Sequence, residues 1–172
     1  CGAASGSRPE YAEAARELGR GLALRGWGVV YGGATIGLMG AVADAALEAG
    51  GEVIGVLPEV LTQREIPHNR LTQLILTSNM HERKEKMADL SEIIIALPGG
   101  FGTLDELFET LTWNQLKIID RPIGLLDVGG FFQPLLRYLD TTVEEGFLRQ
   151  HHRDLLIVDN SVKSLLSRVL PA

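Results

Sequence analysis

A chain of 172 residues that is 45% hydrophobic has enough apolar material for one sizeable core, and its length predicts a single domain spanning residues 1–172. A formal net charge of −6, from 16 basic against 22 acidic side chains, excludes a surface built to neutralise a polynucleotide backbone, which needs clustered Lys and Arg. The lone Cys1 can make no internal disulfide, no His or Cys spacing suggests a metal cage, and no apolar run reaches the roughly 18 residues of a membrane span. The expectation is therefore a cytoplasmic protein with no metal, membrane or nucleic-acid partner.

In chain order, Cys1-Gly2-Ala3-Ala4-Ser5-Gly6 reads like the loop that follows a strand, which predicts such a strand ahead of Cys1. Ser7-Arg8-Pro9-Glu10 has the S-x-x-E spacing of a capping box with proline in the first turn. Tyr11, Ala15, Leu18 and Leu22 then recur at helical spacing, predicting a first helix to about Arg25. Trp27 to Tyr31 reads as a strand, broken by Gly32-Gly33 before a helix from Leu38 to Ala49 that Gly50 caps. Glu52 to Leu57 and Leu71 to Leu76 read as strands, Met80 to Leu90 as a helix, Glu92 to Leu97 as a strand and Leu104 to Ile119 as a helix. A strand from Ile123 to Leu126, a helix from about Phe131 to Glu145, a strand from Leu155 to Val158 and a closing helix from Val162 complete the series. Runs such as Ile93-Ile94-Ile95-Ala96-Leu97 are apolar on both faces, as parallel strands covered by helices on both sides must be. The fold class is α/β, a doubly wound, Rossmann-like parallel sheet. Glu59 to Arg70, with Pro67 and His68, is the longest irregular stretch and reads as a mobile or interface loop.

Ligands of open parallel sheets bind beyond the carboxyl ends of the strands, where three glycine-rich segments fall: Cys1 to Gly6, Gly32 to Gly40, and Gly99 to Thr103. In the third, Gly99, Gly100 and Gly102 let backbone N–H groups approach an anion at the positive end of the following helix, and phosphate is the natural guest. The bland alternative is a tight strand-to-helix connection. Neither a G-K-[ST] nor a G-x-G-x-x-G is present, so ATP hydrolysis and hydride transfer lose support. Glu106, three residues after Thr103, has two readings: the second half of a capping box with Thr103 as N-cap, or a carboxylate beside the phosphate that orients water or steadies positive charge on a ribose.

On the helix from Met80, the residues Met80, Arg83, Lys84, Met87 and Ala88 share one face, while Glu82, Glu85, Lys86 and Asp89 share the other. Two cations thus lie on the apolar side, as stems snorkelling past the core or as partners of an anion, for which phosphate and Glu106 would both serve. By spacing alone, Glu65 beside Arg64 reads as a surface ion pair, Thr112 and Trp113 as core or subunit contacts, and His151-His152 as exposed.

Pro98-Gly99-Gly100-Phe101-Gly102-Thr103-Leu104-Asp105-Glu106, with Met80-His81-Glu82-Arg83-Lys84 upstream, resembles the paired motifs PGGxGTxxE and MHxRK of the Lonely Guy family of cytokinin-activating phosphoribohydrolases. The likeness extends over nearly the whole chain, including Val30-Tyr31-Gly32-Gly33, Gly37-Leu38-Met39-Gly40, Val53-Ile54-Gly55-Val56-Leu57-Pro58 and Thr112-Trp113-Asn114-Gln115-Leu116. It implies hydrolysis of the N-glycosidic bond of an adenosine 5′-monophosphate, typically N6-prenylated, to free base and ribose 5-phosphate, without a cofactor. By position it implies a catalytic pair on Arg83 and Glu106. The implied substrate contacts fall on Glu65, Arg83, Lys84, Gly100, Phe101, Gly102, Thr103, Leu104, Asp105, Glu106 and Thr112. It further implies a homodimer or larger assembly. Members are often labelled lysine decarboxylases, but no pyridoxal phosphate site is recognisable in the residues. The rival class is a non-catalytic nucleotide carrier or sensor on the same fold.

Overall fold

The alternation of apolar runs and glycine turns forms seven α-helices and six parallel strands among the described residues of the computed structural model, which are 4–62 and 67–170. Two compact units, Cys1–Glu92 and Ile93–Ala172, each contain a three-stranded parallel sheet flanked by helices. Among the described residues, no helix is long and apolar enough to cross a membrane.

The first unit runs α1 (Pro9–Ala23), β1 (Val29–Tyr31), α2 (Gly37–Glu48), β2 (Val53–Pro58), β3 (Gln73–Thr77) and α3 (Met80–Leu90), with its strands in the order β1-β2-β3. Val29 pairs with Val53 and Ile54 with Gln73, so the central β2 is apolar almost throughout while the edge strand β3 leaves Leu74 and Leu76 exposed. Tyr11, Ala15 and Leu18 form the buried stripe of α1. Gly19 lets that helix lie close on α2, since a Cβ there would overlap the Val42 carbonyl oxygen.

The capping box expected on Ser7 does not form. Pro9 takes the first helical position, so extended Arg8 is the N-cap, and Glu10 pairs with Arg8 at 3.1 Å instead of reaching back to a serine. The Arg8 guanidinium also donates from Nε to the Tyr11 hydroxyl at 2.7 Å.

The second unit runs β4 (Ile94–Ala96), α4 (Phe101–Gln115), β5 (Ile123–Leu126), α5 (Gln133–Glu144), α6 (Gln150–Arg153), β6 (Leu156–Asp159) and α7 (Val162–Val169), with strands ordered β4-β5-β6. Fully buried Ile123 and Leu125 of β5 pack with Leu107, Phe132, Leu136 and Leu139 to make its core. Helix α4 stops at Gln115 rather than Ile119 because Lys117 turns into the left-handed region at φ 60°. Buried Asn114 then fixes the returning chain, donating to the Arg121 carbonyl at 2.9 Å and accepting its N–H at 3.0 Å. Helix α5 starts at Gln133 rather than Phe131 because Asp127 accepts the Phe132 N–H at 2.7 Å after a 3-10 turn over Val128–Gly130. The short α6 falls where no element was expected.

Candidate functional site

In the first unit, Asn79 caps α3, its side-chain oxygen accepting the N–H groups of His81 at 2.9 Å and Glu82 at 3.0 Å. Glu82 reaches back to accept from the Ser78 hydroxyl at 2.6 Å and the Ser78 N–H at 2.7 Å, and these bonds hold its carboxyl below the usual range. This cap sets the start of the helix, and with it the placement of Arg83, whose N–H donates to the Asn79 carbonyl at 3.1 Å. Arg83 and Ala88 are buried, Lys84 and Met87 are half-buried, and Glu82, Glu85, Lys86 and Asp89 are exposed, following the division of faces read from the spacing. Met80, on the apolar side, is itself 39% exposed at the helix start.

The buried guanidinium of Arg83 reaches the turn after β1. A Cβ built on Gly32 would overlap Nη2 and lie 3.2 Å from Cζ, so the absent side chain of Gly32 is the space the arginine fills. The turn is held from several sides. Tyr31 donates its hydroxyl to the Ala34 carbonyl at 3.2 Å, Ala34 forms an antiparallel bridge with Pro67, and the His68 N–H donates to the Gly33 carbonyl at 3.0 Å. The buried His68 ring accepts the Arg70 N–H on Nδ1 at 3.2 Å, which places its proton on Nε2, 3.1 Å from Asp44 Oδ1 on α2. Arg70 also pairs with Asp44. Burial foremost, and then the Asp44 carboxylate, push the Tyr31 hydroxyl well above its ordinary pKa and keep it a neutral donor.

Residues 67–70 of the stretch expected to be a mobile or interface loop are thus tied to the glycine turn, while Glu65 and Arg64 lie outside the described residues. The sequence named His68 only as part of an irregular stretch and did not mark Asp44 or their contact, because they sit 24 positions apart and meet only through the tertiary fold. The Gly32 seat had one signal, a glycine at a strand's end, which does not say what approaches it.

In the second unit, β4 ends at buried Ala96, buried Leu97 and Pro98 lead into the glycine turn, and Gly100 is the N-cap of α4. The capping box that was one of two readings of Thr103 and Glu106 is therefore absent. The helix begins at Phe101, three residues earlier than that box requires, so Thr103 and Glu106 lie inside it.

Gly100 offers no side chain to cap the helix, and the N–H groups of Phe101, Gly102 and Thr103 have no acceptor within it. The glycines divide by role. Gly99 is required by packing, since a Cβ there would overlap Thr103 Oγ1 and lie 2.8 Å from Thr103 Cβ. Gly100 and Gly102 face open space, and neither has the positive φ that would demand glycine. Thr103 is 4% exposed and its Oγ1 has no hydrogen-bond partner among the described residues.

Glu106 is half-buried, Asp105 and Gly102 are exposed, and Phe101 is 94% exposed at the mouth of the turn. Leu104 packs against the core of the unit, and exposed Thr112 turns its hydroxyl onto the Phe108 carbonyl at 2.7 Å. Of the expected site residues, the structure thus gathers Gly100 to Glu106 on one helix start. Leu104 serves packing, and Thr112 lies further along the same helix.

A family model described as "Possible lysine decarboxylase" matches residues 39–169. Cytokinin riboside 5′-monophosphate phosphoribohydrolase LOG4 of Arabidopsis thaliana is 44% identical over 169 residues, covering 98% of this chain and 79% of its own. The phosphoribohydrolase LOG of Oryza sativa subsp. japonica is likewise 44% identical over 169 residues, covering 98% of this chain and 70% of its own. The chain belongs to the Lonely Guy family. Among solved structures, the molybdenum cofactor carrier protein of Chlamydomonas reinhardtii is similar at 26% identity and a TM-score of 0.71, over 95% of this chain and 88% of that one. The molybdenum cofactor binding protein of Rippkaea orientalis, at 24% identity and a TM-score of 0.72 over 95% of this chain and 88% of its own, shares the Lonely Guy fold.

Proposed function

We propose that this chain hydrolyses the N-glycosidic bond of an adenosine 5′-monophosphate bearing an N6-prenyl group, giving free base and ribose 5-phosphate. Relatives 44% identical to this chain are named as phosphoribohydrolases of cytokinin riboside 5′-monophosphates. The observation that carries the reading is the start of α4, where three helix N–H groups, two glycines with no packing reason to be glycine and a buried threonine hydroxyl with no partner among the described residues stand together. A dianionic phosphate satisfies all of them.

Anchoring the phosphate there places the ribose for reaction, so binding energy remote from the scissile bond lowers the barrier. Water oxygen bonds to C1′ as the C1′–N9 bond breaks, the bonding pair leaves with the base, and the water's proton ends on the base. Positive charge builds on the ribose during this exchange. Glu106 stabilises that charge and positions the water, while the Arg83 guanidinium serves an anion, the substrate's phosphate or Glu106 itself. Lys84, Glu65, Thr112 and the stretch Gly100 to Glu106 are the further substrate contacts in this reading. No step needs a cofactor.

Glu106→Gln is expected to lower base release about a hundredfold or more while AMP binding by calorimetry is retained. Release at the parent rate contradicts the role. A second reading, a nucleotide carrier, draws on the similarity to the molybdenum cofactor carrier protein. Nucleotide recovered intact after long incubation with the protein favours it.

The homodimer belongs to the same proposal. Leu116 at 61% and Ile118 at 65% exposure, just beyond the C-terminal end of α4, offer apolar surface that it would cover, and the setting would be cytoplasmic.

A further inference from the structure

We infer that Gly32 is a positioning residue, whose missing side chain is the seat that sets where the Arg83 guanidinium lies. The inference rests on the reading that Arg83 is catalytic. A Cβ at position 32 would overlap Arg83 Nη2, approach Cζ to 3.2 Å and approach Met39 Sδ to 3.0 Å. Something must yield, and the surroundings decide what.

The turn cannot easily move. Its two following residues are held by the His68 N–H on the Gly33 carbonyl, by the Tyr31 hydroxyl on the Ala34 carbonyl and by the bridge from Ala34 to Pro67. His68 is in turn fixed through both ring nitrogens, to Arg70 and Asp44. The guanidinium sits at the end of four rotatable bonds, so it is the arginine that is displaced. Gly32, unlike Gly33, does not have a positive φ, so an alanine there meets no backbone strain. The substitution should therefore move the charge and leave the fold.

The test is Gly32→Ala, read three ways in the full chain. Its melting temperature is expected within about 3 °C of the parent. The Arg83 Nε–H resonance, assigned by its loss in Arg83→Lys, is expected to shift. The turnover number for N6-isopentenyl-AMP is expected to fall about ten- to a hundredfold, as a misplacement near 1 Å does. Adding Gly32→Ala to Arg83→Ala is expected to cost nothing further, because both changes act on one group. An unmoved resonance, parent turnover, losses that add, or a variant that fails to fold would each overturn the inference; the last would mean that the turn yields before the arginine. A parent that releases no base while the resonance still moves would overturn the hydrolase reading and leave the seat standing.

Discussion

Gly99, Gly100 and Gly102 look alike in the sequence, and their surroundings separate them. An alanine at Gly99 has to push into Thr103, so it is expected to destabilise by about 1–3 kcal/mol. At Gly102, in the first turn of α4 with open space around it, alanine is expected to raise stability by about 0.5–1 kcal/mol. The same Cβ stands where phosphate oxygens would approach, so AMP affinity measured by calorimetry should fall. Unchanged affinity would return Gly102 to the role of a mere connector.

Thr103 offers a parallel test. Its buried hydroxyl has no partner among the described residues, so the isosteric Thr103→Val is expected to match or exceed parent stability in the absence of ligand, by up to about 1 kcal/mol, and to bind AMP more weakly. A loss of stability without a loss of affinity would show that the hydroxyl serves the fold. If α4 begins at a phosphate site as proposed, both substitutions trade function for stability, as substitutions at a binding site commonly do.

The element that matters most is α3, because its cap sets both its stability and the start of the turn that holds Arg83. Asn79→Ala removes the acceptor for two N–H groups and is expected to cost about 1 kcal/mol by denaturant titration, with turnover reduced through Arg83. Parent stability would contradict this.

Glu82 adds a dependence on pH. Its folded-state pKa lies below the unfolded value of about 4.3 because Ser78 donates twice to the carboxylate. The stabilisation is therefore fully present above that pH and is lost as pH falls through the lower folded value. The melting temperature of Glu82→Gln is expected to lie below the parent's near neutrality and to converge on it below about pH 4. A constant difference across that range would contradict the assignment.

At the scale of the molecule, the apolar runs were sufficient to place every strand among the described residues, most of them because a strand buried on both faces reads as a short continuous apolar run; the edge strand β3, with Leu74 and Leu76 exposed, was placed by its β-branched and leucine content alone. Met80 to Leu90 and Ile123 to Leu126 are matched residue for residue. Helix ends were less legible, and for identifiable reasons. Pro9 displaced the cap from Ser7, glycine rather than threonine capped α4, and Asn114 folded the chain back before Ile119. Of the candidate site, the glycine turn ahead of α4 and the apolar placement of Arg83 were readable from spacing. The clamp of Tyr31, Asp44 and His68 around the Gly32 turn was not, since its members come from β1, α2 and the chain after Pro67. Their hydrogen bonds exist only once those pieces are assembled.

Phosphate anchoring and glycosidic cleavage are joined in one claim, and a single incubation tests it. The protein is mixed in parallel with N6-isopentenyl-AMP, AMP and the corresponding nucleosides, and released base is followed by chromatography. The expected result is free base from the monophosphates, with the prenylated one preferred, and little from nucleosides that lack the phosphate to anchor on α4. No base from either monophosphate, or equal release from nucleoside and nucleotide, would contradict it.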